Sequence, residues 1–523
     1  MKKLWMFDST LRDGAQANGI SFSLQDKVKI ARILDDIGID YVEGGNPGSN
    51  PKDLEFFEIL KREPLKRAKL VSFGSTRRKN VKVEDDTNVK ALLSAGTPTI
   101  AIFGKAWDFH VTDIIHTTLE ENLQMILDTI SYLKQMGKEV IFDAEHFFDG
   151  FKANEEYALK TLQVAEMAGA DCICLCETNG GAFPDDVLYA TKKAKALLKV
   201  PVGIHTHDDT GMAVANSIMA VEGGATQVQG TFIGIGERCG NANLSTIIAN
   251  LQLKRGYQCI PHENLERLTK VSYYIAEVAN INLNERMPYV GSNAFTHKGG
   301  MHIDGVSKNS NSFEHISPES VGNHRRLLMS EVAGRSTIIQ KVQSFYPNLI
   351  KESKEAQEII DIVKAMEMDG YQFEGADGTF QLVVMRHLLP YKKPFQLDEF
   401  KVIEEKRQDS FIASSVIRVF VGDQCEFTAA EGDGPVNALD AALRKALEVF
   451  YPSIAEIRLT DYKVRVIDSQ SATAAKVRVL IESTDGTDFW STMGVSTDII
   501  EASCIALADS IEYKILKDKE MEE

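Results

Sequence analysis

The chain has 523 residues, 44% apolar and 25% charged, which are ordinary globular values in a length too great for one hydrophobic core. Its net charge of −17 is spread along the chain, which argues against nucleic acid or an anionic membrane as partner while leaving room for a local basic pocket. No run of about 18 apolar residues predicts a membrane span, and Met1–Asp8 lacks the apolar stretch of about 7–15 residues expected of a signal peptide.

From residue 4 to about 255, short β-type runs alternate with helical periodicity. The β runs are Leu4–Asp8, Asp40–Glu43, Lys69–Phe73, Thr99–Phe103, Glu139–Ala144, Cys172–Cys176, Val202–His205 and Gln227–Phe232. Helical stretches follow them at Leu24–Ile37, Asp53–Arg62, Asp86–Ser94, Leu119–Met136, Asn154–Ala168, Asp185–Leu198, Ala213–Glu222 and Leu244–Lys254. Eight βα units in about 250 residues predict an α/β fold, a (β/α)8 TIM barrel. A doubly wound sheet would instead place a Gly-rich phosphate loop after its first strand. The first strand ends in Ser9-Thr-Leu-Arg-Asp-Gly14, and Gly234-Ile-Gly236-Glu-Arg-Cys239-Gly240 has Cys239 where the last glycine belongs, so no dinucleotide site is read.

The next stretch is mainly helical, with helices expected at Asn264–Ala279 and Ile350–Glu367. Between them Pro288–Asn323, rich in Gly, Ser, Asn and His, reads as an irregular connector. Beyond it, Thr379–Arg386, Ile412–Val421 and Gln424–Ala429 are β-like and precede a helix at Pro435–Phe450. Glu456–Ile467, Ala475–Glu482 and Trp490–Gly494 then precede a helix at Asp498–Leu516. A β-rich block followed by a helix, twice over, predicts an α+β domain with an internal duplication. Gly432-Asp-Gly434 and Val495-Ser-Thr497 stand before the two helices, as N-caps or as carboxylate-binding helix starts. The domains are therefore read as 1–256 (barrel), 257–375 (helical connector) and 376–523 (C-terminal domain). The seven cysteines follow no zinc-finger spacing. Cys172, Cys174 and Cys176 alternate as a buried strand face does, and a reducing cytoplasm fits them best.

Chemistry in such a barrel sits at the C-terminal strand ends. Val202-Gly-Ile-His-Thr-His-Asp-Asp209 places His205 and His207 on one face of a strand end, roughly 7 Å apart. That pair suits either a polar barrel rim or a metal site. Strands 1, 7 and 8 adjoin in a closed barrel, so Asp13, His205, His207 and Asn241 can converge. Two imidazoles, a carboxylate and an amide oxygen suit Mg2+, Mn2+, Co2+ or Zn2+. On an octahedral ion they leave two positions for the keto and carboxylate oxygens of a 2-oxo acid, whose carbonyl the ion polarises. Arg12 adjoins Asp13 and can stabilise an alkoxide formed there.

Asp8-Ser-Thr-Leu-Arg-Asp-Gly14, His205-Thr-His207 and Gly234-Ile-Gly-Glu-Arg-Cys-Gly-Asn241 resemble, in order, the three signatures of the 2-isopropylmalate, homocitrate and citramalate synthases. The resemblance covers nearly the whole chain. It implies that Asp13, His205, His207 and Asn241 bind a divalent metal, Mg2+ or Mn2+ first and Zn2+ or Co2+ next, and that Arg12 is catalytic. It implies that Glu145 is the catalytic carboxylate, that Thr178 holds the 2-oxo acid carboxylate, and that His302, in Gly299-Gly-Met-His-Ile-Asp-Gly305, reaches into a partner subunit's barrel and assists proton transfer. His297 competes with His302 on sequence alone. A homodimer follows, and the C-terminal block resembles the regulatory domain that binds a feedback amino acid, here isoleucine.

The sequence also departs from its relatives. Phe313 stands where many carry Tyr, Glu177 where Asp is commoner, and Ser469-Gln-Ser-Ala472 replaces a Gly-containing turn.

The implied reaction is a Claisen-type condensation. Acetyl-CoA loses a methyl proton, the enolate attacks the keto carbon, and thioester hydrolysis releases CoA, with Glu145 and His302 as the proton-transfer candidates. Glu43-Gly-Gly-Asn-Pro-Gly48, Asp143-Ala-Glu-His-Phe-Phe-Asp-Gly150 and Leu175-Cys-Glu-Thr-Asn-Gly-Gly181 resemble the citramalate branch more than the isopropylmalate branch, which implies pyruvate as acceptor. 2-Oxoisovalerate or the homocitrate-synthase acceptor are the alternatives. Two other classes remain open. A lyase of the same superfamily would place a cysteine in a Gly-rich loop, whereas Cys239 lies within Gly-Glu-Arg-Cys-Gly-Asn. A metabolite sensor would have no need of the barrel constellation.

Overall fold

In the computed structural model of the chain, residues 2–48, 50–327, 335–347, 349–350, 353–373, 375–388, 391–407, 410–467, 475–486 and 488–522 are described. The chain divides into two units, Met1–Phe295 with Glu314–Arg325, and Thr296–Phe313 with Arg326–Glu523.

In the first unit eight parallel strands close into a barrel: β1 (Trp5–Asp8), β2 (Tyr41–Gly45), β3 (Lys69–Ser75), β4 (Thr99–Lys105), β5 (Glu139–Glu145), β6 (Cys172–Glu177), β7 (Val202–Thr206) and β8 (Gln227–Gly230). The ring shuts where β1 pairs with β8, Trp5 against Gln227 and Asp8 against Gly230. Alternation sorts the side chains between two cores. Phe7, Tyr41, Val71, Ala101, Ile141, Cys172, Cys174 and Cys176 form one buried cluster. The intervening Met6, Val42, Ile100, Phe142, Ile173, Leu175, Ile204 and Val228 pack outward with the helices, each large side chain contributing about 1.5–3 kcal/mol on burial.

Local signals set the helix bounds. Leu24–Ile37 begins at a Ser23/Asp26 capping box and ends at Gly38 with φ +101°. A Cβ on Gly38 would also lie 2.3 Å from Pro261 Cδ, so glycine is needed there for space as well as conformation. Two helical readings and one irregular one are corrected. Leu244–Lys254 is an α-helix only over Leu244–Ala249, followed by a π turn at Asn250–Lys254. Asn264–Ala279 is a 3-10 segment, His262–Arg267, leading into a helix at Leu268–Val278. The supposedly irregular Pro288–Asn323 contains a helix at Gly300–Lys308.

The second unit holds two three-stranded antiparallel sheets. One is β9 (Gln396–Arg407), β10 (Ser410–Val421) and β11 (Gln424–Gly432), followed by a helix at Pro435–Leu447. The other is β12 (Arg458–Val466), β13 (Val477–Thr484) and β14 (Phe489–Ser496), followed by a helix at Ile499–Glu522. Both first strands carry a register shift just after their second residue, at Leu397/Glu399 and at Leu459/Asp461. Bulges are retained as built features, so the shared offset marks the two halves as copies of one unit. Thr379–Arg386, expected as a strand, is instead part of a helix at Asp377–Leu388. Its β-prone Phe380, Val383 and Val384 fall at i, i+3 and i+4 and are buried with Ile338, Ile359 and Val363, so packing overrides local propensity. The first helix of the pair starts at Gly434 without a side-chain cap, whereas Asp498, one residue beyond Val495–Thr497, accepts from the Ile500 and Glu501 amides. Ser469–Ala472 lie outside the described residues. Among the described residues no helix is long and apolar enough to cross a membrane.

Candidate active site

β1 runs into a tight turn in which Ser9 O accepts from the amides of Arg12, Asp13 and Gly14. The turn faces Asp13 toward β7. His205 Nε2 lies 3.3 Å from Asp13 Oδ2 and 3.3 Å from His207 Nε2. Asn241 Nδ2 is 3.0 Å from Asp13 Oδ2 and 3.2 Å from His205 Nε2. The loop carrying Asn241 is anchored by a bridge to His207 and depends on glycine. A Cβ on Gly236 would lie 1.8 Å from Asn241 Oδ1, and one on Gly240, φ +104°, 2.1 Å from Gly234 O.

All four side chains are buried, and one ligand atom each from Asp13, His205 and His207 lies within 4.8 Å of the others. Asp13 Oδ1, His207 Nδ1 and Asn241 Oδ1 are buried with no hydrogen-bond partner among the described residues. Burial raises the Asp13 pKa, but the charge of Arg12 and the hydrogen bond with His205 outweigh it and hold the carboxyl well below the usual range. Burial and the neighbouring His205 push His207 down to about 3. His205 is raised, because its hydrogen bond to Asp13 and that carboxylate's charge outweigh desolvation. An ionised Asp13 and an unprotonated His207 are the forms that coordinate a cation. A focus of lone pairs with orphaned acceptors, closed off from water, fits a divalent metal.

Arg12 donates through Nε to Glu43 Oε2 at 2.7 Å, and its NH1 lies 3.2 Å from Asp13 Oδ2. Its guanidinium carbon sits 3.9 Å above the Phe73 ring. Glu43, fully buried in the middle of β2, also accepts from Ser9 Oγ, and its other oxygen has no partner among the described residues. Sequence reading gave Glu43 no role, although a carboxylate inside the apolar Tyr41-Val-Glu-Gly run is a usable signal.

Thr178 Oγ1 accepts the His146 amide at 2.9 Å. That hydrogen bond leaves its hydroxyl proton for another partner. His146 takes a left-handed backbone, φ 56°, a strained conformation of the kind that clusters at working sites. Glu145, the last residue of β5, is ion-paired with Lys105, directly opposite on β4. That partner was not anticipated, because it depends on strand register. A cavity of about 330 Å3 opens beside Arg12, lined by Gln16, Lys27, Asn46, Lys52 and Phe73 among others.

His302 belongs to the second unit. It is exposed on the helix Gly300–Lys308, with its ring stacked on Phe313 at 4.1 Å between centroids. His297 is buried, its ring 6.4 Å from that of His302.

Residues 3–275 match the HMGL-like family, residues 289–370 the homocitrate synthase post-HMGL domain-like family, and residues 374–515 the LeuA allosteric (dimerisation) domain. The first match spans more than half the chain. Together with the third it sets the class as an HMGL-like barrel joined to a LeuA-type C-terminal domain. Named relatives run end to end along it. The (R)-citramalate synthase of Aquifex aeolicus is 53% identical over 99% of this chain and 99% of its own length. That of Geobacter sulfurreducens is 49% identical over 100% and 99%, and that of Synechocystis sp. 48% identical over 98% and 96%. The chain belongs to the (R)-citramalate synthase family.

Proposed function

We propose that this enzyme condenses acetyl-CoA with pyruvate and water to give (R)-citramalate and CoA. The observation that carries this reading is the buried Asp13–His205–His207–Asn241 cluster beside Arg12, in a chain whose full-length relatives carry that name. The cluster would hold the divalent ion, with Mg2+ or Mn2+ favoured by the carboxylate and amide oxygens and Zn2+ or Co2+ compatible with the imidazoles. When bound, the ion supplies Lewis acidity toward a keto oxygen.

The remaining work falls to side chains. Arg12, held by Glu43 and by the Phe73 face, offers a rigid cation where negative charge develops on the former keto oxygen. Thr178, its acceptor side occupied by the His146 amide, donates its proton to the 2-oxo acid carboxylate. Glu145 and His302 are the proton-transfer groups. The methyl C–H gives up its proton, the new C–C bond forms at the keto carbon, and water cleaves the thioester to free the CoA thiol.

The LeuA-type domain supports a homodimer with isoleucine as feedback ligand, and this reading places the enzyme in isoleucine biosynthesis. The cysteine usage supports a reducing cytoplasm. A test is a panel of 2-oxo acids with acetyl-CoA, following thiol release, with and without isoleucine. Pyruvate should dominate. Turnover of 2-oxoisovalerate well above pyruvate would favour an isopropylmalate synthase instead.

A further inference from the structure

Barrel interiors of this class are ordinarily filled by bulky aliphatic side chains. Here the layer beneath the candidate metal centre is polar. Gln229, inward on β8 and fully buried, sits directly opposite His205 in the β7–β8 register. Its Oε1 is 3.1 Å from His205 Nδ1. Its Nε2 reaches 3.0 Å from Asp143 Oδ1, on β5, and 3.4 Å from Gln227 Oε1. Gly203 leaves the room for this crossing, since a Cβ there would lie 3.1 Å from Gln227 Oε1 and 3.3 Å from Cys174 Cβ. Burying amides and a carboxyl in place of an apolar layer is unfavourable unless every group is oriented and used.

The chemistry of the ends fixes the direction of the chain. Two oxygens, Asp143 Oδ1 and Gln227 Oε1, lie at one end of the Gln229 amide and match its two N–H groups, so the nitrogen faces Asp143 and the oxygen faces His205. An oxygen 3.1 Å from Nδ1 requires a proton on Nδ1. With Nδ1 keeping its proton, the one given up when an ion binds is the Nε2 proton, and the lone pair then lies on the atom that points at Asp13 and His207.

We propose that Gln229 is a positioning residue for the metal centre: anchored by Asp143, it holds His205 as the Nδ1–H tautomer with Nε2 presented to the ion. This rests on reading the Asp13–His205–His207–Asn241 cluster as a metal site. Neighbours that donate or accept at the far nitrogen of a liganding histidine typically govern affinity by about 10–100-fold.

The test uses the full chain and Zn2+ as probe. Dissociation constants are taken by competition with a chelator, and 15N–1H spectra are recorded on the Zn2+-loaded, histidine-labelled protein. The parent should show a hydrogen-bonded Nδ1–H resonance that is absent from H205Q. Q229L should lose that resonance and bind Zn2+ about 10–100-fold more weakly. Q229E should also weaken binding, by placing a second carboxylate against Asp143. The double variant Q229E/D143N should restore it. The new amide at position 143 and the His205 ring then both donate to the new carboxylate at position 229: the 143–229 bond reverses its direction, while the acceptor facing His205 Nδ1 is kept. Parent-like affinity in Q229L, or a parent His205 with its proton on Nε2, overturns the proposal. The spectrum of the parent decides this even if Q229L fails to fold. A parent that binds no Zn2+ instead overturns the metal-site reading beneath it.

Discussion

Replacing Gly236 by alanine should silence the enzyme without unfolding it. The added Cβ would lie 1.8 Å from Asn241 Oδ1, 2.9 Å from its Cγ and 3.3 Å from its backbone nitrogen. Non-bonded carbon–oxygen contact needs roughly 3.2 Å or more, so the amide oxygen must retreat by on the order of 1 Å. The backbone nitrogen is nearly clear, and Gly236 does not adopt a left-handed conformation, so the loop itself tolerates alanine. The stability cost is that of turning one side chain off its rotamer, about 0.5–1.5 kcal/mol, which lowers the melting midpoint of a unit this size by roughly 2–6 °C. The catalytic cost is larger, because a misplacement of about 1 Å at the reacting centre can lower rates about 10²-fold. Thiol release from acetyl-CoA and pyruvate, read beside a thermal melt and a metal titration, checks both halves. Activity close to the parent's would refute a role for Asn241 in the cluster. Loss of the folded barrel would show that the glycine serves the loop rather than the site.

Chelation should abolish thiol release, with Mn2+ or Mg2+ restoring it; activity that survives exhaustive chelation contradicts the metal reading. Arg12→Lys keeps the charge but loses the fork that reaches Glu43 and Asp13 together, and kcat should fall about 10²–10³-fold with little change in stability. Thr178→Val should raise the KM for pyruvate by about 1.5–3 kcal/mol in binding, the value of a hydrogen bond to a charged group, with Thr178→Ser largely parental. Arg386→Leu removes the partner of two buried carboxylates, Asp509 at 2.7 Å and Glu512 at 2.9 Å. It should destabilise the second unit by about 3–5 kcal/mol, seen as an earlier unfolding transition in calorimetry.

The barrel was legible because its strands are buried on both faces and its helices carry clear apolar stripes, so each βα unit announces itself in one dimension. Asp13, His205, His207 and Asn241 stood out because strand ends and glycine loops expose polar residues where apolar ones would otherwise continue. Their supporting groups were hidden. Glu43, Lys105, Gln229 and Asp143 acquire meaning only through strand register and across the barrel, and no local pattern encodes either. β9 was missed because Asp398, Glu399, Lys401, Glu404, Glu405 and Lys406 mask its alternation, as suits a strand at a sheet edge. The helix Asp377–Leu388 was misread for the opposite reason, since its residues favour strands and only their burial partners fix the period.

The two copies in the second unit differ in composition at their first strands. Both are exposed along most of their length, but β9 is dominated by charge, whereas β12 intersperses Arg458, Asp461, Lys463 and Arg465 with exposed Leu459, Tyr462, Val464 and Val466. The first edge therefore resists a further strand more strongly than the second. Pairing through one such edge carries its own stopping rule. Two chains that join like to like through β12 use up that edge on both at once, so this contact by itself ends at two instead of running on into a filament.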